Sequence, residues 1–127
     1  MGPAELRCTI RDGIQCATLA GEIDMSNAED LRQAIAAATP NDALGVIVDL
    51  RAVEYLDSAG IHLMYRLRES LQIRGQGLRL VIPVDSSIND ALRLAGIARG
   101  SDVCESVEEA TRALAPGHST GAGTRLS

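Results

Sequence analysis

The chain opens with strict alternation: Leu6, Cys8 and Ile10 are apolar, while Arg7, Thr9 and Arg11 are polar. A period of two predicts a strand with one buried face. Asp12-Gly13 follows, a dipeptide suited to a two-residue hairpin turn, where both positions need positive φ. The return run from Ile14 to Ala20 is mostly apolar and reads as a strand buried on both faces. Gly21-Glu22-Ile23-Asp24 then leads into a helix. Ser26 with Glu29 fits a capping box, and Ala28, Leu31, Ile35 and Ala38 recur at helical spacing until Pro40-Asn41-Asp42 ends the run.

Leu44 to Leu50 is continuous and rich in β-branched residues, as a central parallel strand is. A short loop then leads to a second helix from Ser58. Its apolar stripe is Gly60, Leu63, Met64, Leu67 and Leu71, and Gly75 and Gly77 stop it. Leu78 to Ile82 predicts another strand. Ser87 with Asp90 is placed to cap a third helix with Ile88, Ala91, Leu92 and Ala95 inward, closed by Gly96. A weak strand near Val103 and a fourth helix follow, the helix capped by Ser106 and Glu109 with Val107, Ala110 and Leu114 inward. The order β-β-α-β-α-β-α-β-α predicts an α/β domain, a mostly parallel sheet of four to five strands with about four helices and one antiparallel hairpin. The domain is expected to span residues 1–115. Residues 116–127 have almost nothing to bury and are expected to form a disordered tail.

Composition narrows the function. The 127 residues carry 12 cations against 17 anions, a net charge of −5, with no Phe or Trp and only two Tyr. Acidity without aromatics to stack on bases argues against a nucleic-acid binder. Every cation is arginine, which removes the P-loop lysine, Schiff-base chemistry and any lysine general base. No run reaches the ~18 apolar residues of a membrane span, and the N-terminus lacks a signal-peptide layout, so a cytoplasmic protein is expected. Cys8, Cys16 and Cys104 are odd in number, far apart and set among apolar neighbours, which points to free, structural thiols.

Candidate chemistry is sparse. Ser58 and His62 stand four apart and share a helical face, but Leu56-Asp57-Ser58-Ala59-Gly60 is not G-x-S-x-G, and no group is placed to orient the histidine. A serine hydrolase is therefore the weaker reading. His118 falls in the tail, Gly75-Gln76-Gly77 lacks the third glycine of a dinucleotide loop, and no cluster of metal ligands is present, so no cofactor or metal is expected. The segment Val46 to Leu67 remains. There a buried strand gives way to Asp57-Ser58 at a helix start, with free amides and the positive end of the helix dipole. Two readings fit: Asp57 or Ser58 is an N-cap, or Ser58 carries a phosphate that this location accommodates.

These residues carry a resemblance. Gly21-Glu22-Ile23-Asp24 before a helix beginning Asn27-Ala28-Glu29-Asp30-Leu31-Arg32, then Val48-Asp49-Leu50 and Asp57-Ser58-Ala59-Gly60, then Ala91 to Ile97 and Ser106 to Ala110, follow the order of elements in a STAS domain. The chain resembles the bacterial anti-sigma factor antagonists of that family, with Asp57 to Gly60 similar to their D-S-[SAT]-G phosphorylation motif. The resemblance implies a non-enzymatic partner switch in transcriptional stress response. Unphosphorylated protein binds an anti-sigma factor that is also a serine/threonine kinase and supplies the bound ATP, which releases the sigma factor. Phosphorylation of Ser58 ends the binding, and a metal-dependent serine phosphatase resets it. The implied partner surface is Glu22, Asp24, Ser26, Asp57, Ser58, Ala59 and Gly60. Ala59 stands where serine is commonest in the family, so Ser58 is the only hydroxyl of the motif. Arg99 to Val103 is more polar than the family's last strand and is expected to fray. The alternative is a STAS scaffold or transporter-accessory subunit with no phosphorylation control.

Overall fold

The computed structural model describes residues 4–97 and 102–116. β1 (Glu5–Arg11) and β2 (Ile14–Ile23) form the antiparallel hairpin, with Arg11 opposite Ile14 across the turn. Asp12 and Gly13 both hold positive φ, 54° and 78°, the turn geometry that matches strand twist. The next elements are α1 (Ala28–Ala38), β3 (Gly45–Leu56), α2 (Ser58–Ile73) and β4 (Gly77–Val81). α3 (Ser87–Leu94), β5 (Val103–Cys104) and α4 (Val107–Leu114) complete the order read from the sequence.

The five strands lie in chain order, β1-β2-β3-β4-β5, and every pair after the hairpin is parallel. Alternation along the strands splits the core in two. Ala17, Leu19, Val46, Val48 and Leu80 pack with Leu31, Ile35, Leu63, Leu67 and Leu92 of the first three helices. On the other face, Ile14, Ile47, Val81 and Cys104 pack with Ala110 of α4.

Several sequence expectations are corrected. β2 runs on to Ile23 rather than stopping at Ala20, with register shifts between Thr18 and Ala20 and between Gly21 and Glu22. β3 runs on to Leu56 rather than stopping at Leu50. Up to Asp49 it lies between β2 and β4; beyond, it pairs with β2 alone. Arg51, Ala52, Glu54 and Tyr55 are therefore exposed and read as loop. Ser86, not Ser87, caps α3, its Oγ accepting from the Asn89 amide at 3.0 Å. Ala38 and Ala95 are exposed, and the polar Thr39 and Asn89 are buried instead. Thr39 Oγ1 donates to Ile35 O, which satisfies its buried hydroxyl, and Asn89 Nδ2 donates to Val84 O, while the buried Asn89 Oδ1 has no partner among the described residues.

All three cysteines are free thiols. Cys8 faces Ala17 and Cys16 faces Thr9 in the hairpin, so the two sulfurs point to opposite sides of the sheet and cannot bridge. Burial pushes all three thiols up. The tail after Pro116, with His118, lies outside the described residues, as do Arg99, Gly100 and Ser101. The strand near Val103 amounts to two residues.

Candidate functional site

The C-terminal ends of β2 and β3 carry two loops side by side, held together by Ile23 opposite Leu56. In the first loop, the Asp24 carbonyl accepts the amides of Asn27 and Ala28 at 3.1 and 2.9 Å, which starts α1. Asn27 is the N-cap residue but makes no side-chain cap. Its Oδ1 accepts from the Asp24 amide at 3.1 Å and its Nδ2 donates to Glu22 O at 3.0 Å, bracing the turn. The expected Ser26–Glu29 capping box does not form. Ser26 instead donates its hydroxyl and its amide to Asp24 Oδ1, and these two bonds hold the Asp24 carboxyl below its usual range. Glu29 is taken by Arg32 and Gln33, which push its carboxyl down to about 2.

In the second loop, Asp57 is the cap of α2. Its Oδ1 accepts from the Ala59 and Gly60 amides at 2.8 and 3.1 Å. Its Oδ2 accepts from the Met25 amide at 3.2 Å, across to the first loop. One carboxylate thus starts a helix and fastens the two loops together.

Ser58 follows as the first helical residue. It is exposed, and its hydroxyl has no hydrogen-bond partner among the described residues. The expectation that it lies beside free amides is corrected in part: Asp57 occupies those of Ala59 and Gly60. The field of the helix N-terminus and the amide of Ser58 itself remain. Gly60 is required for close approach. A Cβ there would lie 2.5 Å from Leu56 Cδ1 and 3.2 Å from Ile23 Cγ2, so any side chain would require the Leu56 side chain to move.

The structure brings Asp24, Ser26, Asp57, Ser58, Ala59 and Gly60 onto these two joined loops, with Glu22 at the end of β2 opposite Tyr55. Met25, Tyr55 and the groove beside Met25 were not among the residues expected at the site. Met25 is 82% exposed and Tyr55 52%, both large side chains at the site's rim. A shallow groove of about 140 Å³ runs between the starts of α1 and α2, lined by Ala28, Ala59, Leu63, His62 and Arg66. The one available signal was Met25, a large apolar residue in the turn before α1. His62 stacks on Tyr65, with ring centroids 6.2 Å apart, and no hydrogen bond joins it to Ser58. Among the described residues no His, Cys, Asp or Glu cluster is arranged to hold a metal.

A STAS domain model matches residues 5–110. The chain belongs to the STAS domain family. This STAS domain is 27% identical over 88 residues to the anti-sigma-F factor antagonist RsfB of Mycobacterium tuberculosis, covering 68% of this chain and 70% of that one. The crystal structure of an anti-sigma factor antagonist from Mycobacterium paratuberculosis matches with a TM-score of 0.77 at 26% identity, over 88% of this chain and 94% of that one. The Bacillus cell fate determinant SpoIIAA, in its phosphorylated form, shares the fold with a TM-score of 0.67 at 18% identity, over 84% and 96% of the two chains. No described helix of this STAS domain is long and apolar enough to cross a membrane.

Proposed function

We propose that this STAS domain is an anti-sigma factor antagonist, a non-enzymatic binding module whose docking surface is switched by phosphorylation of Ser58. The observation that carries this reading is the division of labour between Asp57 and Ser58. Asp57 does the capping, so the Ser58 hydroxyl is exposed and unbonded on a surface fixed by two fastened loops. The partner is an anti-sigma factor with serine/threonine kinase activity and its own bound ATP, and the reset is made by a metal-dependent serine phosphatase. Glu22, Asp24, Ser26, Ala59 and Gly60 form the contact around Ser58. The similarity to RsfB supports the assignment.

The switch follows from charge and space. A phosphate adds about −1.5 to −2 charges and three acceptor oxygens. The Asp57 carboxylate already holds the Ala59 and Gly60 amides, so the phosphate cannot fold down onto them and stays outward. It stands beside Asp57 and near Asp24 without disturbing either loop. A partner packed there meets new bulk and like-charge repulsion, while the fold is unchanged.

The test is intact mass after incubation with the cognate anti-sigma kinase and ATP, followed by titration calorimetry of both forms. One phosphate is expected on the wild type and none on Ser58→Ala. The phosphorylated form is expected to bind at least about tenfold more weakly, roughly 1.4 kcal/mol. Equal affinity of both forms would defeat the switch. An unmodified Ser58 would leave the scaffold or transporter-accessory reading in its place.

A further inference from the structure

We propose that the outer edge of β1 pairs with β1 of a second copy of this chain, antiparallel about Cys8, to join two sheets across a two-fold axis. β1 is an end strand of the sheet, paired on one side by β2 and on the other by nothing among the described residues. Unpaired strand edges are templates for further strands, and proteins blunt them with short strands, bulges or charged side chains; the charges of β1, Glu5, Arg7 and Arg11, are of both signs and can pair instead of repel. The other edge of this sheet is blunted: β5 has two residues. β1 has seven, all in unbroken register with β2.

The hairpin settles which backbone groups face outward. Arg11 and Ile14 flank a two-residue turn, so they form a hydrogen-bonded pair, and so do Thr9, Arg7 and Glu5 with their partners on β2. Leu6, Cys8 and Ile10 therefore aim their N–H and C=O groups away from the sheet. An antiparallel partner centred on Cys8 pairs Cys8 with Cys8 and Leu6 with Ile10, and so uses these outward groups throughout.

Side chains select the same register. Centring on Cys8 sets Glu5 opposite Arg11 at both ends and Arg7 opposite Thr9. Moving the centre one residue either way sets Arg7 opposite Arg7 or opposite Arg11, a like-charge pair that opposes pairing. On the side facing α1, Leu6 and Cys8 are half-buried against the core and Ile10 is 50% exposed. Pairing covers Ile10 with the partner's Leu6 and extends the apolar strip across the junction. Arg7 meets its own copy only diagonally, about 7–8 Å away. The interface is one strand wide, so the association is weak and depends on concentration.

Sedimentation equilibrium on the full chain from about 10 µM to about 1 mM, with reductant present, tests this. The weight-average mass is expected to climb toward twice the chain mass. Glu5→Arg and Arg11→Glu each place like charges opposite twice per dimer and are expected to weaken association at least about tenfold. The double variant Glu5→Arg, Arg11→Glu is expected to restore it. The two residues lie six positions apart on one strand, roughly 20 Å, so rescue cannot arise within a single chain. NMR of the wild type gives a reading independent of any variant's folding: the amides of Leu6, Cys8 and Ile10 are expected to shift and gain exchange protection as concentration rises. A monomer throughout, a dimer indifferent to the reversals, or a double variant without rescue would overturn the proposal. Protection of those three amides at every concentration would also overturn it, by showing that the chain's own residues cover the edge.

Discussion

The starts of α2 and α3 are built alike and used differently. Each has a polar cap followed by an exposed serine at the first helical position: Asp57 then Ser58, Ser86 then Ser87. The cap accepts early amides in both, two at Asp57 and one at Ser86, and neither Ser58 nor Ser87 has a hydrogen-bond partner for its hydroxyl among the described residues. The caps themselves differ. The Ser86 hydroxyl reaches only the Asn89 amide of its own helix. The Asp57 carboxylate has a second oxygen and spends it on Met25, fixing a neighbouring loop that carries Asp24 and Ser26. An exposed serine at a helix start is thus commonplace in this molecule. What distinguishes Ser58 is the firm acidic surface around it.

The most severe challenge to that contrast is the kinase reaction itself. Incubation of the wild type is expected to place phosphate on Ser58 and none on Ser87, with peptide mass spectrometry as the measurement. Ser87→Ala is expected to leave both phosphate incorporation and partner affinity unchanged. Modification of Ser87 to a similar extent would show that exposure alone is what the kinase reads.

Next in size is Gly60→Ala, which forces the new Cβ against Leu56 and is expected to cost about 1–3 kcal/mol by urea unfolding, as other overpacked sites do. Asp57→Ala removes a cap and the tie to Met25 together. A loss of about 1–2 kcal/mol is expected, larger than the ~1 kcal/mol expected for Ser86→Ala, which removes a cap alone. Equal losses would mean that the tie between loops adds nothing. Ser58→Ala and Ser87→Ala are expected to stay within about 0.5 kcal/mol of the wild type, because neither hydroxyl holds anything.

The smallest effect concerns pH. Glu29 has its carboxyl pushed down to about 2 by Arg32 and Gln33, and Asp24 is lowered by Ser26. Groups with depressed native pKa values stabilise the fold above their unfolded pKa, near 4, and lose that contribution as pH falls toward the native value. Both carboxylates are in contact with solvent, so the effect is modest and screened by salt. Urea midpoints at about pH 7 and about pH 3 are expected to differ less in Arg32→Ala than in the wild type. An unchanged difference would show that the Arg32–Glu29 pair contributes nothing measurable.

Much of the fold was legible because its signals are local. Asp12-Gly13 specified the turn, Gly45 to Leu50 of the expected strand lie within β3, and Gly60, Leu63, Met64, Leu67 and Leu71 are all buried as their spacing required. The far half of β3 was hidden because it borders one strand rather than two, which leaves it mostly exposed, with Val53 alone buried, and without the alternation that marks a strand. The placement of Ser58 at a helix start was likewise legible from Asp57-Ser58 before an apolar stripe. The role of Ser26 was not. Serine three residues before Glu29 satisfies the capping-box pattern, yet Asp24 stands only two residues away and takes the hydroxyl. Nothing in the sequence joins Met25 to Asp57 either, because that bond spans 32 positions and depends on the pairing of β2 with β3.

The strictly sequential strand order bears on how the chain is made. Each strand lies against the one synthesised just before it, so no segment must wait for a distant partner and none has to be threaded between strands already paired. The hairpin closes over two residues, and each later strand joins an edge that the preceding one has just created. Each parallel pairing spans about thirty residues or fewer, 31 from Ile14 to Gly45 and 32 from Gly45 to Gly77, so none needs the longest loop closures that slow sheet formation. On the ribosome, where the N-terminal part emerges first, this sheet can grow in the direction of translation. Each growing edge then lies open only until the next thirty or so residues arrive, which shortens the time in which a nascent chain offers bare backbone to its neighbours.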